Sequence, residues 1–102
     1  MDRVAILKEI LEQSPDDAFA RYGLALEFAN SGKTDEAMRE FKTLIEKNAD
    51  YVPAYQMGGQ TLMTAGRNDE ARTMIENGIT CATRTGNQHA RSDMEMMLQD
   101  LG

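Results

Sequence analysis

The segment Gly32-Lys33-Thr34-Asp35-Glu36-Ala37 returns 34 residues further along the chain as Gly66-Arg67-Asn68-Asp69-Glu70-Ala71. A fixed period of about 20 to 50 residues is typical of proteins built from stacked copies of one small unit. The repeat indicates two such units, residues 18–51 and residues 52–85. Six positions are identical between them: Ala20/Ala54, Gly32/Gly66, Asp35/Asp69, Glu36/Glu70, Ala37/Ala71 and Ile45/Ile79.

Each unit divides into two helices around its glycine. Apolar residues recur at helical spacing before Gly32 and again after it. A glycine supplies the left-handed backbone that ends a helix, and Thr34 and Asn68 are the expected N-caps of the helices that follow. Acidic residues in the first turn of those helices interact favourably with the helix dipole. The two units therefore predict four antiparallel helices.

Two flanking segments add one helix each, over residues 2–14 and over residues 87–101. Their apolar stripes are Val4, Leu7, Ile10 and Leu11 in the first segment, and Ala90, Met94, Met97, Leu98 and Leu101 in the second. The first segment is predicted to be the second helix of a unit that lacks its first helix. The second segment is predicted to be a cap with a polar outer side. Residues 1–102 are thus expected to form one all-α domain, a short right-handed solenoid of about six helices in antiparallel helix-turn-helix repeats.

The composition argues against several classes of function. A net charge of −6 disfavours binding to nucleic acid or to an anionic membrane surface. Cys81 is the single cysteine, so the chain cannot form an internal disulfide. Charged residues interrupt the N-terminal segment, and no apolar run reaches about 18 residues. We therefore expect no signal peptide, no membrane insertion and a cytoplasmic location.

Three sequence features could suggest chemistry, but each lacks a necessary part. Ser31-Gly32-Lys33-Thr34 looks like the end of a phosphate-binding loop, yet Glu27 stands where that motif needs glycine, and the preceding segment is helical. His89 and Asp93 lie one helical turn apart, but two ligands do not make a metal site. Cys81 has no oriented base and no oxyanion hole, so it is expected in the core. We expect no enzymatic activity, no metal and no cofactor.

These residues resemble the tetratricopeptide repeat, whose period is also 34 residues. The family's pattern of a small residue, a turn glycine and an alanine falls at Ala25, Gly32 and Ala37 in unit one, and at Gly59, Gly66 and Ala71 in unit two. Tyr55 stands at the motif's aromatic position, and Pro15 at the proline that closes a unit. The chain departs from the pattern at Arg21, where an aromatic residue is usual, at Leu44, where a small residue is usual, and at Ala49 and Thr83, where proline is usual. The layout also resembles short, stand-alone bacterial proteins of this family.

The resemblance implies a protein-interaction module. Tetratricopeptide proteins bind peptides or helices of partner proteins in a concave groove lined by the first helix of each pair. Projected onto this sequence, the groove residues are Phe19, Tyr22, Leu26, Gln56, Met57, Gln60 and Met63, with Arg91 and Met94 from the final helix. This surface is apolar and nearly uncharged, which favours an amphipathic helix or a hydrophobic peptide as the partner.

The resemblance also raises alternatives. One subclass of the family clamps acidic chaperone tails with cationic and amide side chains. Tyr22, Leu26 and Met57 stand at three of the five clamp positions and Asn87 at a fourth, and only Arg91 would match, so we reject that function. The competing alternative is a self-assembling homodimer whose groove or N-terminal helix is the subunit interface. A third possibility is that the chain is a piece of a longer array, whose exposed faces would then result from the excision.

Overall fold

The computed structural model describes residues 2–102, and within this range the chain folds into six α-helices. They are α1 (Arg3–Gln13), α2 (Ala18–Asn30), α3 (Thr34–Lys47), α4 (Val52–Thr64), α5 (Asn68–Thr85) and α6 (Gln88–Asp100). Helix α2 packs extensively on α3, and α4 on α5, so each unit forms a helix pair. The pairs stack into a short right-handed solenoid. The all-α prediction is confirmed.

Three glycines end helices in the same way. Gly32, Gly66 and Gly86 have φ angles of 75°, 76° and 75°, in the left-handed region. At the first of them, the Gly32 N–H donates to the Ala29 carbonyl at 3.1 Å, and the Lys33 N–H donates to the Phe28 carbonyl at 2.9 Å. This pair of hydrogen bonds satisfies carbonyls that the end of a helix leaves without partners. The segment around Gly32 is therefore a helix-terminating turn.

The N-caps expected at Thr34 and Asn68 are wrong by one position. Each of these residues is the first of its helix, and Lys33 and Arg67 occupy the cap positions without a side-chain hydrogen bond. The turn after each glycine fixes the backbone of Lys33 and Arg67, so the chain enters the next helix directly. The acidic residues predicted for the first turn are present in both helices, where their negative charge interacts favourably with the helix dipole.

The six helices form two layers. We call α2, α4 and α6 the inner layer and α1, α3 and α5 the outer layer. Within residues 2–102, Cα atoms of α2 and α4, and of α4 and α6, come within 8 Å, whereas the outer helices do not come so close to one another. Because the inner helices lie closer together, the surface of the inner layer is the concave one. The core lies between the layers, and its largest fully buried side chains are Phe41, Leu44, Ile75, Met94 and Cys81.

Arg21 replaces an aromatic residue at the junction between units. In unit two, the Tyr55 hydroxyl donates to the Ala49 carbonyl at 2.8 Å. In unit one, Arg21 Nη2 donates to the equivalent Pro15 carbonyl at 3.0 Å, six residues back in both cases. Arg21 Nη1 also pairs with Glu40 Oε1 on α3 at 2.7 Å. A guanidinium has enough donors to serve both acceptors, which explains the departure at this position.

The final helix is two residues out of step with the repeat. The inner helices begin at Ala18, Val52 and Gln88, so the two intervals are 34 and 36 residues. Helix α3 ends at Lys47, and the period places the end of α5 at residue 81, but α5 continues for one more turn to Thr85. The link that follows has two residues instead of four. This shift decides which residues of α6 reach the concave surface.

Candidate interaction groove

Helix α2 places its three predicted groove residues at different depths. Phe19, in the first turn, is 82% exposed. Leu26 is half-buried. Tyr22 is half-buried too. The centre of its ring lies 6.3 Å from the ring centre of Phe41, in an edge-on arrangement, and 5.5 Å from the ring centre of Tyr51. Burial, with Tyr51 as a lesser cause, raises the pKa of Tyr22 above its usual range. The phenol therefore stays neutral and presents a rigid aromatic edge.

The structure brings Leu26, Met57 and Gln60 together in one furrow between α2 and α4, with a volume of about 470 Å³. We call it the α2–α4 furrow. Other residues that line it include Ala29, Asn30, Thr61 and Thr64. The Thr61 hydroxyl donates to the Met57 carbonyl at 2.7 Å, so this buried polar group has its partner inside α4. The furrow thus combines apolar side chains with neutral amide and hydroxyl groups.

The other predicted residues of α4 flank this furrow. Gln56 and Met63 are half-buried, and neither of them lines the α2–α4 furrow. Met63 follows Ala29 by the repeat period of 34 residues, and Ala29 lies on the side of α2 that faces α4. By that equivalence Met63 lies on the side of α4 that faces α6.

Met94 does not belong to the groove, so its assignment there is wrong. Its side chain is 0% exposed and packs over Gly78, where an added Cβ would lie 2.5 Å from the Met94 Sδ. Arg91 is also placed elsewhere, because it follows Tyr55 by 36 residues and Tyr55 packs against the outer layer. Arg91 pairs with Glu95 at 3.2 Å. Both assignments failed because α6 is shifted relative to the period.

Two other residues of α6 occupy groove positions. Asp93 and Met96 follow Met57 and Gln60 by 36 residues, the interval between the starts of α4 and α6. Met96 is 64% exposed, and Asp93 Oδ2 lies 3.3 Å from the Nε2 of His89. The sequence alone could have indicated that Met96 is exposed, because this methionine falls outside the apolar stripe by which α6 packs on the rest of the chain. Gly86 and the following asparagine, a helix stop and an N-cap, could have revealed the shifted register.

The residues that could suggest chemistry lie in places that a purely structural role explains. Cys81 is buried, with its Sγ 3.4 Å from the Ala49 carbonyl. Burial raises the pKa of Cys81, which keeps it a thiol rather than a nucleophilic thiolate. Across residues 2–102, no three His, Cys, Asp or Glu side chains are grouped as they would be to hold a metal ion. None of the helices in that range is both long and apolar enough to cross a membrane.

Comparisons with known proteins place this architecture. A family pattern described as Tetratricopeptide repeat matches residues 4–58. The solution structure of a tetratricopeptide repeat domain protein from Salinibacter ruber is 30% identical, with a TM-score of 0.78 over 85% of this chain and 88% of that chain. A protein of Bordetella parapertussis, also solved in solution, is 24% identical, with a TM-score of 0.86 over 99% of this chain and 88% of that chain. No curated protein sequence matches the chain.

A further neighbour was solved with a ligand. The TPR2B domain of yeast Sti1, in a complex with pHsp70, has a TM-score of 0.88 and covers 96% of this chain and 78% of that one. Its identity is 18%, so the likeness shows the fold alone.

Proposed function

This chain belongs to the tetratricopeptide repeat family, whose fold mediates protein–protein interaction, and we propose that it is a non-enzymatic interaction module. In this proposal an amphipathic helix or a hydrophobic peptide of another protein lies along the inner layer. The observation that carries it is the α2–α4 furrow, where Leu26 and Met57 converge beside neutral polar groups. Phe19 lies on α2, as Leu26 does, and its side chain, 82% exposed, adds to the apolar surface of the inner layer.

The chemistry of the furrow suits an apolar anchor. Methionine is flexible and polarisable, so Met57 can adapt to side chains of different shape. An amphipathic helix presents apolar side chains at positions i, i+3, i+4 and i+7, which form a ridge that can enter such a furrow. Burial of apolar area contributes roughly 25 cal/mol per Å². In the α2–α4 furrow this contribution, and not ion pairing, would stabilise the complex.

The test is the double variant Leu26→Gln/Met57→Gln, which makes the furrow polar and leaves its volume nearly unchanged. Tyr22 is kept, because it packs on Phe41 and Tyr51 and its loss would disturb the fold. Peptides are selected from a random displayed library on the wild-type protein, and their affinities are measured by fluorescence polarisation. We expect the double variant to lose at least about tenfold in affinity, as is usual for the loss of buried apolar anchors.

The matched control is Ile6→Gln/Ile10→Gln, which makes an equal polar change on the outer layer. Peptide affinity should stay within about twofold in this control, since surface changes away from an interface have small effects. If the furrow variant binds the selected peptides as tightly as the wild type does, the furrow is not the binding site.

A second candidate function is self-assembly, and α1 favours it. None of the described residues of α1 is buried, and Ile6 and Ile10 are 36% and 39% exposed. Exposed apolar patches commonly mark an interface. Light scattering on a sizing column over a hundredfold concentration range tests it. A dimer that the Ile6→Gln/Ile10→Gln variant converts to monomer would establish α1 as the interface, and a monomer throughout would exclude self-assembly.

A further inference from the structure

The shifted register of α6 gives the groove a charge that its other helices lack. Helix α4, Val52–Thr64, contains no charged residue. Helix α2 contains two, and both are paired away from the furrow: Arg21 with Glu40 on α3 at 2.7 Å, and Glu27 with Arg3 on α1 at 2.9 Å. Among the three inner helices, the charge that is not paired with an outer helix therefore lies on α6.

The charge that α6 brings to the groove is negative. Asp93 follows the furrow residue Met57 by 36 residues, and Asp100 follows Thr64, another furrow residue, by the same interval. The Asp93 side chain is 40% exposed, and Asp100 is exposed at the last turn of the helix. Both carboxylates thus lie at groove positions and within reach of a bound segment.

The cations of α6 do not cancel this charge. Arg91 lies at the position equivalent to Tyr55, off the groove, and pairs with Glu95 at 3.2 Å. His89 lies beside Asp93, with its Nε2 at 3.3 Å from the carboxylate, and its own side chain is 91% exposed. The chain as a whole carries a net charge of −6, so the long-range field also attracts cations.

We propose that the groove is specific for a cationic amphipathic segment, whose apolar side chains lie on the α2–α4 furrow and whose lysine or arginine side chains reach Asp93 and Asp100. This inference rests on the proposed function and adds the charge and the orientation of the partner. The apolar part of the segment lies over α2 and α4, and its basic end lies over α6. An acidic peptide would meet like charge at that end, which is unfavourable by electrostatic complementarity.

The inference is tested with two labelled synthetic helical peptides. They share one leucine spacing and differ only in having lysine or glutamate at the polar positions near one end. Fluorescence polarisation measures their affinities for the wild-type protein. At about 50 mM salt the lysine peptide should bind at least about tenfold more tightly than the glutamate peptide. The ratio should shrink at about 500 mM salt, because the Debye length falls to roughly 4 Å.

Two charge variants separate the groove carboxylates from the overall charge. Asp93→Asn/Asp100→Asn should weaken the lysine peptide by about threefold to tenfold and leave the glutamate peptide no weaker. Glu46→Gln/Glu76→Gln changes the net charge equally, but at exposed positions of the outer layer. This control should keep the affinity of the lysine peptide within about twofold.

The outcomes distinguish this inference from the function on which it rests. If both peptides bind equally and both lose affinity in Leu26→Gln/Met57→Gln, the charge preference is wrong and the apolar groove stands. If the outer-layer control weakens the lysine peptide as much as the groove variant does, the attraction is general and the assignment of Asp93 and Asp100 is overturned. If neither peptide binds, the inference is also overturned. The proposed binding site in the α2–α4 furrow is then still tested by the peptides selected from the random library.

Discussion

The two ends of this solenoid are built differently. At the N-terminal end, α1 lies against α2, and none of its described residues is buried. At the C-terminal end, α6 buries Ala90 and Met94 against the rest of the chain. Ile10 and Leu44 occupy equivalent positions one period apart, yet Ile10 is 39% exposed and Leu44 is 0% exposed. The same helical pattern thus gives a core residue in one unit and a surface residue in another.

The difference shows that burial in a repeat protein depends on neighbouring helices. Leu44 belongs to α3, which packs against α2 on one side and α4 on the other, whereas α1 packs against α2. On α6 the positions equivalent to Tyr55 and Gly59, which face the outer layer, hold Arg91 and Glu95. These two side chains pair with each other, so that side of α6 is polar.

Truncation of one apolar side chain at each end gives the largest contrast. Met94→Ala should lower the free energy of unfolding by about 2–5 kcal/mol, because it leaves a cavity in a fully buried site. Ile10→Ala removes a side chain that is already partly hydrated, and it should cost less than about 1 kcal/mol. Urea denaturation followed by circular dichroism measures both. Equal losses would show that the N-terminal end is packed as tightly as the C-terminal one.

Addition of one methyl group at each end gives a smaller contrast, with opposite signs. A Cβ at Gly78 would lie 2.7 Å from the Tyr55 Cβ, so Gly78→Ala should destabilise by about 1–2 kcal/mol, even after the gain in helix propensity. A Cβ at Gly23 would lie 3.5 Å from the Leu7 Cδ2, an ordinary contact. Gly23→Ala should therefore stabilise by about 0.5–1 kcal/mol. Thermal unfolding measures both, and destabilisation by Gly23→Ala would contradict the loose packing of α1 on α2.

The smallest expected effect concerns the ion pairs at the two inter-unit links. Asp16 and Asp50 are one period apart, and they accept from Lys47 at 2.8 Å and from Arg84 at 2.6 Å. The hydrogen bond and the charge of Lys47 hold the pKa of Asp16 below its usual range. Its contribution to stability is therefore present above the unfolded-state pKa and is lost as the pH falls through the lowered folded-state pKa.

Lys47→Met should return the pKa of Asp16 towards its usual value, and a carboxyl NMR titration measures this. Arg84→Met is the matched control, since Arg84 contacts the other link, and it should leave the titration of Asp16 unchanged. An unchanged Asp16 pKa in Lys47→Met would show that the pair is not formed in solution.

Much of the architecture could be predicted because its signals are local. Gly32 and Gly66 stand one period apart, and each has the positive φ that ends an inner helix. The apolar residues around them recur at helical spacing, so the helix pairs were evident from the chain alone. The proximity of Leu26, Met57 and Gln60 in the α2–α4 furrow has the same origin, because the period places them at similar faces of neighbouring helices.

The final helix could not be placed by the period, because its position depends on where α5 stops. One more turn of α5 and a shorter link moved Met94 into the core and aligned Asp93 and Met96 with Met57 and Gln60 of α4. Likewise, the sequence shows Arg21 only as a departure from the aromatic residue that is usual in the family. The reason for this departure, the hydrogen bond from Arg21 to the Pro15 carbonyl, depends on the fold.

The sequence by itself determined the repeat, the helix pairs and the turns, because glycine conformation and apolar periodicity act within a few residues. The tertiary structure alone decided which apolar residues are buried at each end and which residues of α6 align with those of α4. Those outcomes depend on how many helices cover a given face and on the register between layers. Both are set by packing across the whole array.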